Sequence, residues 1–217
     1  MSAVQIKICG ITRVPDALEA VALGVEMLGL NFYAESPRFV SIEQAQRIAE
    51  AVAGRIKVVG VFVNMNVEEV LEIARAVPLD FVQLHGDESL NECEAIANEF
   101  EVIRALKVDA QFTPECASEF AFCSGLMLDT PSTGFGGAGE SFDWARVDWS
   151  GIRGASPFVD IYLAGGLNAG NVGEAIEIVR PDVVDVCSGV EAEKGVKSAS
   201  RMREFVAAAR AAEGLEQ

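Results

Sequence analysis

The sequence predicts an α/β protein that forms a single (β/α)8 TIM barrel over residues 1–217. Short apolar runs alternate with amphipathic stretches along the chain, which is typical of a parallel sheet covered by helices. About eight such units fit a chain of this length, as a barrel requires. A doubly wound open sheet is the alternative, and it is disfavoured because no GxGxxG motif follows the first strand.

Eight runs rich in apolar and β-branched residues are the predicted strands: Val4–Ile8, Met27–Phe32, Lys57–Phe62, Phe81–Leu84, Glu101–Leu106, Leu126–Leu128, Val159–Leu163 and Val183–Val186. The amphipathic segments between and after them are the predicted helices: Pro15–Leu23, Ile42–Val52, Val67–Val77, Leu90–Phe100, Asn171–Val179 and Ala199–Ala212. The glycine-rich segment Pro131–Ser141 is predicted to be a mobile loop at the active site.

Composition narrows the classes of partner. The net charge of -16 argues against nucleic acid, because phosphate neutralisation needs lysine and arginine. Carboxylates are abundant and lysine is scarce, which favours a protein adapted to high salt. No apolar run reaches the ~18 residues of a membrane helix, and no signal segment opens the chain. We therefore expect a cytoplasmic protein with no membrane partner.

The cysteines and the single histidine limit the chemistry further. The five cysteines show no CxxC spacing, so a disulfide framework is not expected. One histidine and unpaired thiols also argue against a metal site. Cys93, Cys116 and Cys123 fall on predicted helices or a loop, and we interpret them as packing residues.

In a barrel of this kind the chemistry lies at the carboxyl ends of the strands. Cys9 ends the first predicted strand, where it is either a buried filler or a base or nucleophile. Asp129 ends the sixth, where it either caps a loop or acts as a catalytic acid. The two together would supply an acid and a base across the barrel mouth.

Two glycine-containing segments follow the last two strands. LAGGLNAGNV contains Gly165 and Gly166, and DVCSGVE contains Ser188 and Gly189. Loops at these places commonly bind phosphate through backbone N–H groups and a helix N-terminus. A tight turn is the alternative explanation of the double glycine.

Arg38 and His85 complete the candidate site. Arg38 is either a solvated loop residue or a fork that binds a substrate carboxylate. His85 ends the QLHG strand, and we interpret it as a structural or rim residue that contacts substrate rather than as a catalyst.

Eight motifs resemble the phosphoribosylanthranilate isomerase family of tryptophan biosynthesis. In chain order they are KICGIT, NFYAESPRFVS, VGVFVN, VQLHGDE, LMLDT, GGAGESFDW, LAGGLNAGNV and VRPDVVDVCSGVE. The resemblance runs from one end of the chain to the other, and the series of motifs is highly specific.

The resemblance implies an Amadori rearrangement of N-(5-phosphoribosyl)anthranilate without any cofactor. It implies that Asp129 is the general acid on the ring oxygen, that Cys9 is the general base at C2, and that Arg38 holds the anthranilate carboxylate. It also implies a small-molecule sugar-phosphate substrate, with the phosphate at Gly165, Gly166, Ser188 and Gly189. Relatives of this kind are monomers or homodimers, and the sequence leaves both open.

Two positions depart from the family pattern. Cys187 stands where serine is frequent, and Glu140 stands where a basic or neutral residue is common. A thiol is a weaker donor than a hydroxyl, and a carboxylate repels an anionic substrate unless salt screens it.

Two other functions stay open at this stage. An epimerase or aldolase on the same scaffold would need metal ligands or a Schiff-base lysine, for which Lys107 is the candidate. A phosphate-binding protein without catalysis is the second alternative.

Overall fold

Eight parallel strands close into one barrel in chain order, with the first strand paired to the eighth. The computed structural model describes residues 3–130 and 141–213. Its barrel strands are β1 (Gln5–Ile8), β2 (Met27–Asn31), β3 (Lys57–Phe62), β4 (Phe81–Leu84), β5 (Glu101–Lys107), β6 (Gly125–Asp129), β7 (Asp160–Leu163) and β8 (Val183–Val186). The predicted fold class is confirmed. Three strands have the predicted bounds, and the others differ by one residue at one or both ends.

The helices are α1 (Val14–Ala22), α2 (Ile42–Val52), α3 (Val67–Ala76), α4 (Leu90–Ala97), α5 (Pro114–Ser118), α6 (Trp149–Ala155), α7 (Val172–Val179) and α8 (Ala199–Glu213). Helices α2, α3 and α4 are capped at their N-termini by Ser41, Asn66 and Ser89. Each of these side chains accepts a hydrogen bond from a backbone N–H in the first turn. Across residues 3–130 and 141–213, no helix is long and apolar enough to cross a membrane.

Three features differ from the sequence prediction by more than a shift of one residue at an end. Helix α4 ends at Ala97, three residues before the predicted end, because β5 already begins at Glu101. Helices α5 and α6 were not predicted, since each is too short to show a helical period, and they are held by packing against each other. A hairpin of β9 (Glu191–Glu193) and β10 (Val196–Lys197) also follows β8.

Two layers of apolar side chains fill the fold. The larger cluster lies between the strands and the helices, as the continuous apolar character of the strands predicts. A smaller cluster fills the interior of the barrel: Met27, Val59, Ile103, Ala105, Met127, Tyr162, Ala164 and Val183. Two charged residues also lie in this interior. Lys7 is fully buried, and Asp185 is almost fully buried.

The predicted glycine-rich loop at Pro131–Ser141 lies outside the described residues except for Ser141. Glu140 therefore lies outside them as well.

Candidate active site

A cavity of about 280 Å³ lies at the carboxyl ends of the strands. It brings together residues that are far apart in the chain, because all parallel strands of a barrel end on one face. The predicted site residues that line it are Cys9, Arg38, His85, Asp129, Gly165, Gly166 and Ser188. Gly189 is not among the lining residues. It lies in a 3-10 turn (Ser188–Val190), where a Cβ would collide with the Leu167 carbonyl.

Cys9 directly follows β1, and a glycine on the neighbouring strand leaves room for its sulfur. Its backbone N–H donates to the Val186 carbonyl at 2.9 Å, which continues the pairing of β1 with β8. A Cβ on Gly29 of β2 would lie 2.8 Å from Cys9 Sγ, so the neighbouring strand carries glycine there. Gly10 then turns the chain with a φ of +71°, and a side chain at Gly10 would meet Arg38.

The environment of Cys9 favours the thiolate. A hydrogen bond with the Cys187 thiol lowers the pKa of Cys9 well below its usual value and outweighs burial, which acts in the opposite direction. The charges of Lys7 and Lys197 lower that pKa further. Cys9 is therefore suited to accept a proton rather than only to fill space.

A buried ion pair lies beneath this thiol. Lys7 Nζ is 2.7 Å from Asp185 Oδ1, and the Lys7 side chain is fully buried. Burial would lower the pKa of Lys7, but the Asp185 carboxylate and Cys9 raise it above its ordinary value. Burial raises the pKa of Asp185 to about 6 against the opposing effect of Lys7. Near neutral pH both partners are charged.

Asp129 at the end of β6 is held by its neighbours. The Thr130 backbone N–H donates to Oδ1 at 2.7 Å, and His85 Nε2 lies 3.2 Å from Oδ2. The Gln83 amide nitrogen lies 2.8 Å from His85 Nδ1. Because an amide nitrogen donates, Nδ1 accepts, and the ring proton stands on Nε2, where it is donated to Asp129. His85 is thus a partner of the predicted acid, a relationship the sequence does not reveal.

Arg38 is held at the rim by Glu191. Its Nε and Nη2 atoms each lie 2.8 Å from a Glu191 carboxylate oxygen, which is the bidentate geometry of a strong pair. Burial acts to raise the pKa of Glu191, but Arg38 and Lys197 lower it below its usual value. Within residues 3–130 and 141–213, Nη1 of Arg38 makes no hydrogen bond. Arg38 therefore keeps donors for a ligand.

The β9–β10 hairpin carries further groups to the site. Lys197 Nζ is fully buried and bonds Glu191 Oε1 at 3.1 Å and the Cys187 carbonyl at 3.0 Å. Lys194, in the turn of the hairpin, lines the cavity. This hairpin is not predicted from the sequence, because its strands are only three and two residues long.

The double glycine after β7 forms a sharp turn beside Asp129. Gly165 and Gly166 have φ values of +89° and +63°, and a Cβ on Gly165 would lie 2.9 Å from Asp129 Oδ1. The side-chain amides of Asn168 and Asn171 donate to the Gly166 carbonyl at 3.2 and 3.1 Å. Within the described residues, no acceptor takes the N–H groups of Gly165 and Gly166.

The other cysteines and Lys107 lie outside this cavity. Cys93 and Cys123 are buried packing residues, as predicted. Cys116 is exposed, so its interpretation as a packing residue is wrong; α5 presents it to solvent. Lys107 is the last residue of β5 and pairs with Asp87 at 3.6 Å, with its side chain 44% exposed. This position does not favour a Schiff-base lysine.

A closed parallel barrel, with a thiol, a carboxylate and an arginine around one cavity at its strand ends, defines a (β/α)8-barrel enzyme. A family model described as N-(5′-phosphoribosyl)anthranilate isomerase matches residues 6–208. The chain belongs to this family of isomerases.

Similar proteins agree with this assignment. The N-(5′-phosphoribosyl)anthranilate isomerase of Pseudomonas fluorescens (strain Pf0-1) is 46% identical, over 97% of this chain and all of the relative. The crystal structure of phosphoribosyl anthranilate isomerase from Thermotoga maritima has 40% identity and a TM-score of 0.88, and the match covers 96% of this chain and 99% of that one.

A further crystal structure of phosphoribosyl anthranilate isomerase contains reduced 1-(o-carboxyphenylamino)-1-deoxyribulose 5-phosphate. It has 38% identity and a TM-score of 0.85, and the match covers 96% of this chain and 99% of that chain.

Proposed function

We propose that this isomerase converts N-(5′-phosphoribosyl)anthranilate into 1-(2-carboxyphenylamino)-1-deoxyribulose 5-phosphate in tryptophan biosynthesis, with Asp129 as general acid and Cys9 as general base. The observation that carries the proposal is that Asp129 and Cys9 line one cavity together with Arg38 and the double glycine. This arrangement can hold an aromatic carboxylate, a sugar and a phosphate in a single substrate.

Asp129 acts first in this proposal, as the general acid. It gives a proton to the furanose ring oxygen, the bond between that oxygen and C1 breaks, and a Schiff base forms between C1 and the anthranilate nitrogen. The hydrogen bonds from Thr130 and His85 support this role, because they fix the direction of the carboxyl group.

Cys9 acts second, as the thiolate. It removes the proton from C2, which gives an enolamine, and this intermediate tautomerises to the ketone product. The lowered pKa of Cys9, caused first by the Cys187 thiol and then by Lys7, supports this role. No cofactor enters either step.

Arg38 and His85 bind the rest of the substrate in this proposal. Arg38 donates to the anthranilate carboxylate with the nitrogen that Glu191 leaves unused. His85 lines the cavity and contacts the sugar in this proposal, while its Nε2 atom orients Asp129. The pairing of Arg38 with Glu191 fixes the guanidinium before the substrate arrives.

The phosphate is proposed to bind at Gly165, Gly166, Ser188 and Gly189. The N–H groups of the double glycine support this placement, together with the N-terminus of α7 shortly after them. Gly166→Ala should raise KM more than it lowers kcat, because alanine disfavours the φ of +63° that the turn requires. Inorganic phosphate should inhibit the parent protein competitively and the variant less strongly.

The test is a fluorimetric assay with substrate made in situ from anthranilate and phosphoribosyl pyrophosphate. Cys9→Ser and Asp129→Asn should each lose roughly 10²–10⁴-fold in turnover, the range for a general acid or base. Circular dichroism should show that both variants keep the fold.

Matched controls separate a catalytic role from a general effect of the substitution. Cys116→Ser and Asp87→Asn change the same residue types at exposed positions outside the cavity, and both should retain the parent rate. A Cys9→Ser or Asp129→Asn protein that folds and turns over at the parent rate would remove that residue from the mechanism.

The proposal extends to the setting in which the enzyme acts. We propose that residues 1–217 act as one domain, in the cytoplasm, as a monomer or homodimer with a sugar-phosphate substrate and no nucleic acid partner. Five free thiols support a reducing compartment. Light scattering on the purified protein decides between one and two copies.

A further inference from the structure

Cys9 and Cys187 come directly after the neighbouring strands β1 and β8, at equivalent positions. Lys7 is in register with Asp185, and Ile8 with Val186, and each cysteine comes directly after these pairs. Neighbouring strands lie about 4.8 Å apart, which is within the Cα separations that a disulfide accepts, about 4.4–6.8 Å. The register therefore places the two residues within the Cα separation that a disulfide requires.

The two thiols also meet in space. Both line the cavity that opens to solvent, and each shifts the pKa of the other. A Cβ on Gly10 would lie 3.0 Å from Cys187 Sγ, just as a Cβ on Gly29 would crowd Cys9 Sγ. Glycine on either side thus leaves room for both sulfurs.

Positive charges lie beside both sulfurs, and Cys9 is the one whose pKa is lowered. Lys197 Nζ lies 3.7 Å from Cys187 Sγ, and Lys7 is buried beneath Cys9. The pKa of Cys9 is lowered, whereas the hydrogen bond with Cys9 and burial raise the pKa of Cys187. A thiolate beside a neutral thiol is the arrangement in which one sulfur attacks an oxidant and the second resolves the product.

We propose that Cys9 and Cys187 form a redox-active dithiol, which hydrogen peroxide converts into an intramolecular disulfide that switches the enzyme off. The Cys9 thiolate attacks one peroxide oxygen, the O–O bond breaks, and a sulfenic acid forms on Cys9 as water leaves. Cys187 then attacks this sulfur, the S–S bond forms, and a second water leaves. Two thiols lose two electrons and two protons, and the peroxide is reduced to two waters.

The disulfide removes activity because it consumes the sulfur proposed as general base. This consequence rests on the proposed role of Cys9, whereas the dithiol itself does not. Cys93 and Cys123 are poor competitors for the oxidant, because burial raises the pKa of Cys93 to about 11 and that of Cys123 to about 12.

The test treats the whole protein with hydrogen peroxide and follows intact mass, peptide map and turnover together. We expect the mass to fall by two hydrogen atoms, a cross-link between Cys9 and Cys187, and a loss of activity on the order of 10²-fold that dithiothreitol reverses. Bound product or a product analogue should slow both changes, because it fills the cavity.

Two variants make the result specific, with each activity expressed relative to the same variant before treatment. Cys187→Ser removes the resolving thiol, so Cys9 should pass to sulfinic acid, and dithiothreitol should no longer restore activity. Cys116→Ser should behave as the parent protein.

The outcomes separate the two proposals. Absence of the Cys9–Cys187 cross-link, or equal recovery of Cys187→Ser, would overturn the dithiol whatever the turnover assay shows. A cross-link with unchanged turnover would overturn the switch and would also count against Cys9 as the base. If Cys9→Ser turns over at the parent rate, the role of Cys9 as base is lost. A cross-link found by mass would still support the dithiol.

Discussion

The Lys7 ammonium lies 2.7 Å from an Asp185 carboxylate oxygen inside the barrel, two residues before Cys9 and Cys187 on the same pair of strands. Side chains two residues apart on a strand share a face, so the ion pair lies below the two thiols. The fold thus places a fixed positive charge and a fixed negative charge under the proposed general base.

The two charges should move the pH profile in opposite directions. Lys7→Met removes a charge that lowers the pKa of Cys9, so the acid limb of kcat/KM should shift to higher pH. Asp185→Asn removes a carboxylate that repels the Cys9 thiolate, so the limb should shift to lower pH. The measurement is kcat/KM against pH, with thiolate absorbance as a direct check. Shifts of both variants in one direction would contradict this account.

The same pair should show strong coupling in stability. Lys7→Met or Asp185→Leu alone leaves a buried charge without its partner and should cost about 3–5 kcal/mol in the free energy of unfolding. The double variant should recover most of that loss, because neither charge remains. Urea unfolding of the four proteins measures the coupling. Losses that simply add in the double variant would show that the pair does not act as a unit.

The tautomer of His85 should follow from its contacts with Gln83 and Asp129. Because the chain has one histidine, nitrogen-15 histidine labelling reports on His85 alone, and we expect the proton on Nε2. Gln83→Leu removes the donor to Nδ1 and should lower kcat by about tenfold, the equivalent of one hydrogen bond. Gln46→Leu is the matched control, since Gln46 donates to the Ala76 carbonyl far from the cavity. A proton on Nδ1 of His85 in the parent protein would contradict the assignment.

Salt should stabilise this protein. With a net charge of -16, the folded chain repels itself in dilute buffer, and molar KCl screens that repulsion. We expect the melting temperature and the turnover rate to rise with KCl. In the triple variant Glu50→Gln, Glu72→Gln and Glu94→Gln, which removes three exposed charges, the rise should be smaller. Full stability in dilute buffer, with no response to KCl, would argue against adaptation to high salt.

Local sequence was sufficient for the elements whose pattern is long and regular. Ile42–Val52 was predicted at its observed bounds, because Ser41 caps its start and its apolar residues recur with a helical period. Helix α5 was missed because five residues do not complete a second turn. The exposure of Cys116 was missed for the same reason, because without a predicted helix the direction of its side chain could not be inferred.

The partners of the site residues were less accessible to sequence reasoning. A charge in a buried strand, such as Lys7 in QIKI, is a signal that a partner exists, but it does not say which one. Asp185 lies 178 positions away, and Glu191 lies 153 positions from Arg38. Both contacts depend on closure of the barrel between β1 and β8.

The sequence by itself determined the barrel, the family and the group of residues at the strand ends, because strand periodicity and motif order are local properties of the chain. Only the tertiary structure decided that His85 contacts Asp129, that Glu191 holds Arg38, and that Cys9 and Cys187 line one cavity. These contacts join strands that are distant in sequence. Their geometry depends on barrel closure and strand register, which a linear pattern does not encode residue by residue.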